Sequence, residues 1–241
     1  MVAIIFIMAP QIDFWWNKRN PPGVEQPIRD WLMNHSPFYQ NLSAQDKQKF
    51  EDRLSVYLLG KEFFTMAKQK QDGMPEDIKA VIAHNAIVIT FYQEDFMMGD
   101  FDRMVVYKHP FPTPNNQFLH TVETERQDGV MLFALDYLLH GTINTKQYYN
   151  IGMHAHVEAY MKNNPTIPWD NIAETSWNHV QSICGFTRDQ IVTVVGFKNL
   201  DILPVILTCY FTYPDRFKQI SPYDAEQLDG IFKSVSALSF A

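Results

Sequence analysis

The densest group of side chains able to bind a metal is His154-Ala155-His156-Val157-Glu158. On a helix, His154 and Glu158 lie four residues apart, about 40° around the axis, so they share one face while His156 points to the far side. On a strand, all three side chains would share one face and form a three-ligand set. The residues by themselves favour the helix, with a His–Glu pair beside the core and an exposed His156.

Signatures of other chemistries are absent from the sequence. It contains no G-x-S-x-G nucleophile motif, no G-x-G-x-x-G and no phosphate-binding P-loop. The two cysteines, Cys184 and Cys209, are too few for a disulfide framework and have no C-x-x-C spacing that would indicate a thiolate metal site.

Composition places the chain among ordinary globular proteins. Its 241 residues are 46% hydrophobic and 20% charged, which suits one compact domain and excludes extended disorder. The formal net charge of −7, with no run of Lys or Arg, argues against a nucleic acid as partner. We expect an apolar N-terminal segment with a Pro-rich joint over residues 1–27, and a single domain over 28–241.

The first nine residues, Met1–Ala9, are wholly apolar. They are far fewer than the roughly 20 residues that a membrane-spanning helix needs. Three interpretations stay open: a buried terminus, an interfacial anchor, or the stub of a longer membrane segment. An interfacial anchor would be helped by the aromatic and basic residues that follow (Trp15, Trp16, Lys18, Arg19). We expect a cytoplasmic protein, and membrane association through residues 1–19 stays open.

Hydrophobic periodicity and turn residues predict an α+β fold. Strands are predicted at Arg103–Tyr107, His120–Glu125 and Val130–Leu135. Helices are predicted over about 43–69, 75–89, 145–162, 172–184, 199–211 and 221–233. Helices on both sides of a central group of strands indicate a mostly helical domain with a small mixed β-sheet.

Five segments, in this order, resemble the MtfA (Mlc titration factor A) family of zinc-dependent peptidases. They are Leu42–Gln69, the stretch from Ile82 to Phe111, Gly129–Leu135, Tyr149–Met161 (YNIGMHAHVEAYM) and Asp201–Phe217 (DILPVILTCYFTYPDRF). The resemblance implies a zincin-like fold whose active-site helix carries H-E-x-x-H, where two histidines hold Zn²⁺ and the glutamate takes a proton from the metal-bound water.

The resemblance also implies that this catalytic set is degenerate here. His154 matches the first histidine of the motif, but Ala155 stands at the general-base position and Glu158 at the second histidine. Thr208 stands where the family has its third ligand, a glutamate. His154 and Glu158 would then be a two-ligand remnant, with His156 as an alternative ligand. No cofactor is expected from these residues, although the family implies zinc.

We therefore expect a catalytically inactive pseudopeptidase that binds a protein or peptide, with a regulatory role open. The alternative is an active metal-dependent hydrolase with a rebuilt site that uses His154, Glu158 and His156. That site would need local unwinding of the helix and a further ligand or base from a neighbouring helix (Asp201, His179 or Glu174). A membrane-tethered scaffold, suggested by residues 1–19, is compatible with the first expectation.

Overall fold

The computed structural model describes residues 13–66 and 73–233. The apolar segment Met1–Ala9 and the end of the predicted helix over 43–69 lie outside these residues. Within them, no helix is both long enough and apolar enough to span a bilayer.

A four-stranded mixed sheet lies at the centre of the fold, with strand order β1-β2-β4-β3. β1 and β4 each pair with β2 in parallel, whereas β3 pairs with β4 antiparallel through a turn in which Gly129 has a positive φ of 64°. β3 is therefore an edge strand of this sheet. The strands are β1 (Glu62–Thr65), β2 (Arg103–Tyr107), β3 (Val122–Glu125) and β4 (Val130–Ala134).

Twelve helices within the described ranges surround the sheet, together with a short 3-10 turn at Trp169–Asn171. They are α1 (13–19), α2 (Gln26–His35), α3 (Pro37–Gln40), α4 (Ala44–Gly60), α5 (Glu76–Thr90), α6 (Leu135–Ile143), α7 (Ile151–Asn163), α8 (Trp177–Cys184), α9 (Arg188–Val195), α10 (Ile202–Thr212), α11 (Pro214–Ile220) and α12 (Pro222–Phe232). The predicted α+β class, mostly helical with a small mixed sheet, is confirmed.

The central helix is α7, which packs against α5, α6 and α10 and also against β3 and β4. Polar caps fix where the helices around it begin. The Asn150 side chain accepts a hydrogen bond from Met153 N at the start of α7, and Asp201 accepts one from Leu203 N at the start of α10. These caps set the register with which α7 and α10 present their side chains to each other.

The strands β2, β3 and β4 lie where they are predicted, to within two residues at each end. The predicted helix over 43–69 begins correctly at its Ser43 cap but ends at Gly60, because Glu62–Thr65 pair with β2 as a strand. The helix predicted from Thr145 begins instead at Ile151. Six of the helices in the described ranges were not predicted: α1, α2, α3, α6, α9 and α11.

Candidate functional site

His154 is buried on α7 and is held by a tyrosine. Its Nδ1 atom lies 2.8 Å from the Tyr149 hydroxyl, and only 2% of the residue is exposed. Burial lowers the pKa of His154, and the carboxylates of Glu158 and Asp201 oppose this shift. The ring is therefore mainly neutral near pH 7, with one nitrogen already engaged by the protein.

Thr208 on α10 lies beside Tyr149 and opposes the rise in the pKa of its hydroxyl. The Thr208 hydroxyl donates to the Pro204 carbonyl at 2.7 Å. The structure thus brings His154 and Thr208, two of the predicted site positions, close to the same tyrosine, and Tyr149 bonds to His154. Burial raises the pKa of Tyr149 well above its usual value, so its hydroxyl stays protonated.

Glu158 lies one turn further along α7 and forms an ion pair with Lys162. The Lys162 ammonium lies 2.9 Å from a Glu158 carboxylate oxygen. The same Nζ donates to the Thr124 carbonyl at 2.7 Å and to the Thr124 hydroxyl at 2.6 Å. Lys162 therefore neutralises Glu158 and fastens α7 to the edge strand β3.

A cavity of about 290 Å³ lies between β3, α7 and the start of α10, and His154, Glu158 and Lys162 line it. Four carboxylates and one ammonium surround it, so its charge is negative (Glu123, Glu125, Glu158 and Asp201, with Lys162). Glu123 is held in place by Thr113 and Asn116, which donate hydrogen bonds of 2.8 and 3.1 Å to its two oxygens.

His156 is placed differently from the expectation that it is exposed. It does point away from His154, but it is fully buried, with its ring stacked on Phe133 and Nδ1 2.6 Å from the Gly152 carbonyl. The reason is that the far side of α7 packs into the core instead of facing solvent. His156 does not line the cavity, and α7 is not unwound there. Ala155 is also fully buried.

Of the three residues predicted to complete a rebuilt site, only Asp201 lines the cavity. His179 forms a capping box with Ser176 on α8, and Glu174 N bonds to Asp224. Within residues 13–66 and 73–233, no group of three or more His, Cys, Asp or Glu side chains is arranged to hold a metal ion. The side chains in place do not fit the zinc ion that the family resemblance implies. The proposed ligand roles of His154, Glu158, Thr208 and His156 stay predictions.

Among the site residues that were missed from the sequence are Lys162 and Tyr149, together with Glu123, Thr124 and Glu125 of β3. The ion pair of Lys162 could have been predicted, because a glutamate four residues before a lysine on a helix favours an ion pair. Tyr149 has no such signal, because it precedes α7 and reaches His154 only through the turn that Asn150 caps.

The free energy of unfolding tests the hydrogen bond between the Tyr149 hydroxyl and His154. Tyr149→Phe should lower the free energy of unfolding by about 1–3 kcal/mol, because it leaves His154 Nδ1 buried without a partner. Urea denaturation at pH 7 measures the loss. The matched control is Tyr148→Phe, at an exposed neighbouring position, which should change stability by less than about 0.5 kcal/mol. Equal losses in the two variants would contradict the role of this contact.

The family model described as glucose-regulated metallo-peptidase M90 matches residues 13–233, which is most of the chain and includes the whole cavity. No curated protein matches the chain.

Proposed function

Because the chain belongs to the glucose-regulated metallopeptidase family M90, we propose that it has kept the family's cleft as a binding site and lost hydrolysis. On this proposal the chain is a pseudopeptidase that binds a basic, extended segment of a partner protein. The observation that carries the proposal is the Lys162–Glu158 ion pair, because a cation of the protein itself occupies the second-ligand position beside the cavity.

The loss of hydrolysis is supported by the residues at the two decisive positions. Ala155, at the position that the family resemblance assigns to the general base, has no group that accepts a proton. Removing a general base alone costs 10²–10⁴ in rate. Thr208, at the third-ligand position, uses its hydroxyl on the Pro204 carbonyl, and a catalytic zinc site ordinarily needs three protein ligands.

Binding of an extended segment is supported by the edge strand. Extended peptides bind to proteins by adding a strand to an exposed sheet edge, which uses main-chain hydrogen bonds. β3 is an edge strand with three of its four residues buried, and its Thr124 carbonyl is occupied by the flexible side chain of Lys162. An incoming peptide N–H could replace the Lys162 ammonium there. The negative cavity beside β3 favours lysine or arginine in the peptide.

The variant Lys162→Met tests this proposal. It frees the Thr124 carbonyl and removes the positive charge from the cavity, so basic peptides should bind about tenfold more tightly. Fluorescence polarisation with a library of labelled basic and acidic peptides measures the change. Mass spectrometry after incubation with zinc should find every peptide intact.

The matched control is Lys146→Met, which removes an exposed lysine outside the cavity lining and should leave the affinity unchanged. Equal effects of the two substitutions would contradict binding in the cavity. Failure to bind any peptide would overturn the binding role, and zinc-dependent cleavage of a peptide would overturn the loss of hydrolysis.

The second candidate is a hydrolase with a rebuilt site. The observation in its favour is that Asp201 lines the same cavity as His154 and Glu158. Cleavage that is abolished by Asp201→Asn and retained in Glu174→Gln would favour this candidate.

A further inference from the structure

A second cavity lies on another face of the protein and is surrounded by positive charge. Its volume is about 480 Å³, and it lies between the end of α1 and the exposed side of α4. Four basic side chains line it, and Asp52 is its single carboxylate (Lys18 and Arg19 from α1, Lys49 and Arg53 from α4). This grouping is unusual for a chain whose formal net charge is −7.

Within the described part of the chain, none of these four cations has an ion pair. Six other basic residues there do have a carboxylate within 4 Å (Arg29, Lys61, Lys79, Arg126, Lys162 and Lys233). Lys49 and Arg53 are also four residues apart on one helix, a spacing at which like charges destabilise each other. An anion bound between them would relieve this repulsion.

The fold holds two of the cations in place at the cavity wall. Arg53 Nη1 donates to the carbonyls of Thr90 and Phe91, at 2.8 and 3.1 Å. The Lys49 ammonium lies 4.6 Å from the centre of the Phe91 ring. Burial and the charge of Arg53 lower the pKa of Lys49, and the carboxylate of Asp46 opposes this shift without forming an ion pair.

The helix beside this cavity exposes two tryptophans. Trp15 and Trp16 on α1 are 54% and 60% exposed, and the Arg19 guanidinium stacks 3.5 Å from the centre of the Trp15 ring. Tryptophan is favoured at membrane–water interfaces, where its ring lies at the level of the headgroups. Adjacent basic residues add attraction to anionic lipids.

We propose that α1 and α4 form a docking surface for a membrane containing anionic phospholipids, with a phosphate headgroup in the basic cavity. Trp15 and Trp16 would enter the headgroup region while the four cations bind phosphate. The surface is separate from the cavity beside β3, so the proposal does not depend on the proposed peptide binding.

The double variant Lys18→Gln/Lys49→Gln of the full chain tests the proposal. Arg53 is kept because its hydrogen bonds support the fold. Partitioning onto phosphatidylcholine vesicles containing phosphatidylglycerol should weaken about 30-fold, because each basic residue near an anionic surface contributes about fivefold. Vesicle co-sedimentation measures the partitioning, and circular dichroism confirms that the variant is folded.

The matched control is Lys108→Gln/Lys146→Gln, which makes the same change in net charge at two exposed positions outside this cavity. It should weaken partitioning less than threefold. An equal loss in both variants would overturn the proposal, because binding would then depend on net charge alone. Equal binding of the native chain to vesicles with and without phosphatidylglycerol would also overturn it.

Two further measurements separate a lipid headgroup from free phosphate. Trp15→Ala/Trp16→Ala should weaken vesicle binding at least tenfold, because only a membrane takes up the indole rings. Inorganic phosphate, measured by calorimetry against chloride at equal ionic strength, should bind much more weakly than the vesicles. Phosphate binding without vesicle binding would show a soluble anion as the ligand and would overturn the membrane role.

Discussion

Acidification from pH 7 to pH 4 is expected to remove about 6 kcal/mol from the free energy of unfolding, because two histidines are buried in their neutral form. Burial lowers the pKa of His156 to about 4, and its hydrogen bond to the Gly152 carbonyl opposes the shift. Burial and the nearby His156 lower the pKa of His84 to about 3. Chemical denaturation at a series of pH values measures the loss.

The direction follows from the two pKa values of each histidine. In the unfolded chain both titrate near 6.5, so below that pH the unfolded state takes up protons that the folded state refuses. The contribution of both histidines to the free energy of unfolding is therefore fully present above pH 6.5 and decreases as the pH falls toward 4. Below the folded pKa of His156, the contribution of that residue changes little further. Each histidine contributes about 3 kcal/mol of the loss at pH 4, a large share of the 5–15 kcal/mol typical of a domain.

The variant His156→Phe isolates one of the two contributions. It keeps a ring against Phe133 but binds no proton, so stability should fall about 1.4 kcal/mol less per pH unit than in the native chain. Comparing slopes cancels any constant cost of repacking. The control His109→Phe, at an exposed loop position, should keep the native slope. A His156→Phe slope equal to the native one would mean that His156 is charged in the folded protein.

The fold was readable from the sequence wherever local signals suffice. The Ser43 cap begins α4, and the alternating residues of Arg103–Tyr107 predict β2, both of which the structure confirms. β1 was missed because the predicted helix was continued past Gly60, a residue type that favours the end of a helix, into Glu62–Thr65. Its strand conformation depends on pairing with β2, about 40 residues away along the chain, which no local pattern reveals.

In the candidate site too, local spacing predicts some features and contacts between distant segments decide the others. Helical spacing predicts that His154 and Glu158 share a face, and both line the cavity. The resemblance adds Thr208, which lies beside Tyr149, the residue that bonds to His154. Spacing also predicts that His156 points away, but not that it is buried, because burial depends on Phe133 of β4. Contacts between distant segments lie beyond what a single sequence specifies.

Replacing two positions by the family's ligands is expected to create zinc binding. In Glu158→His/Thr208→Glu, His154 and the new histidine lie one turn apart on α7, and the new carboxylate approaches from α10. The metal-free variant should be less stable than the native chain, because an unpaired carboxylate is buried. Zinc at 100 times its Kd should restore about 2.7 kcal/mol, roughly a 5–10 °C rise in Tm.

Thermal unfolding with and without zinc, together with elemental analysis, measures this effect. The control Glu158→Gln/Thr208→Gln places polar groups of similar size at both positions, and zinc should leave its Tm unchanged. The single variant Glu158→His, which keeps Thr208 and its bond to Pro204, should bind zinc more weakly and serves if the double variant does not fold. Two histidines and a glutamate complete a catalytic zinc set. If the variants fold but zinc leaves their Tm unchanged, then His154, residue 158 and residue 208 do not converge on one metal position. The pseudopeptidase interpretation would then lose its structural basis.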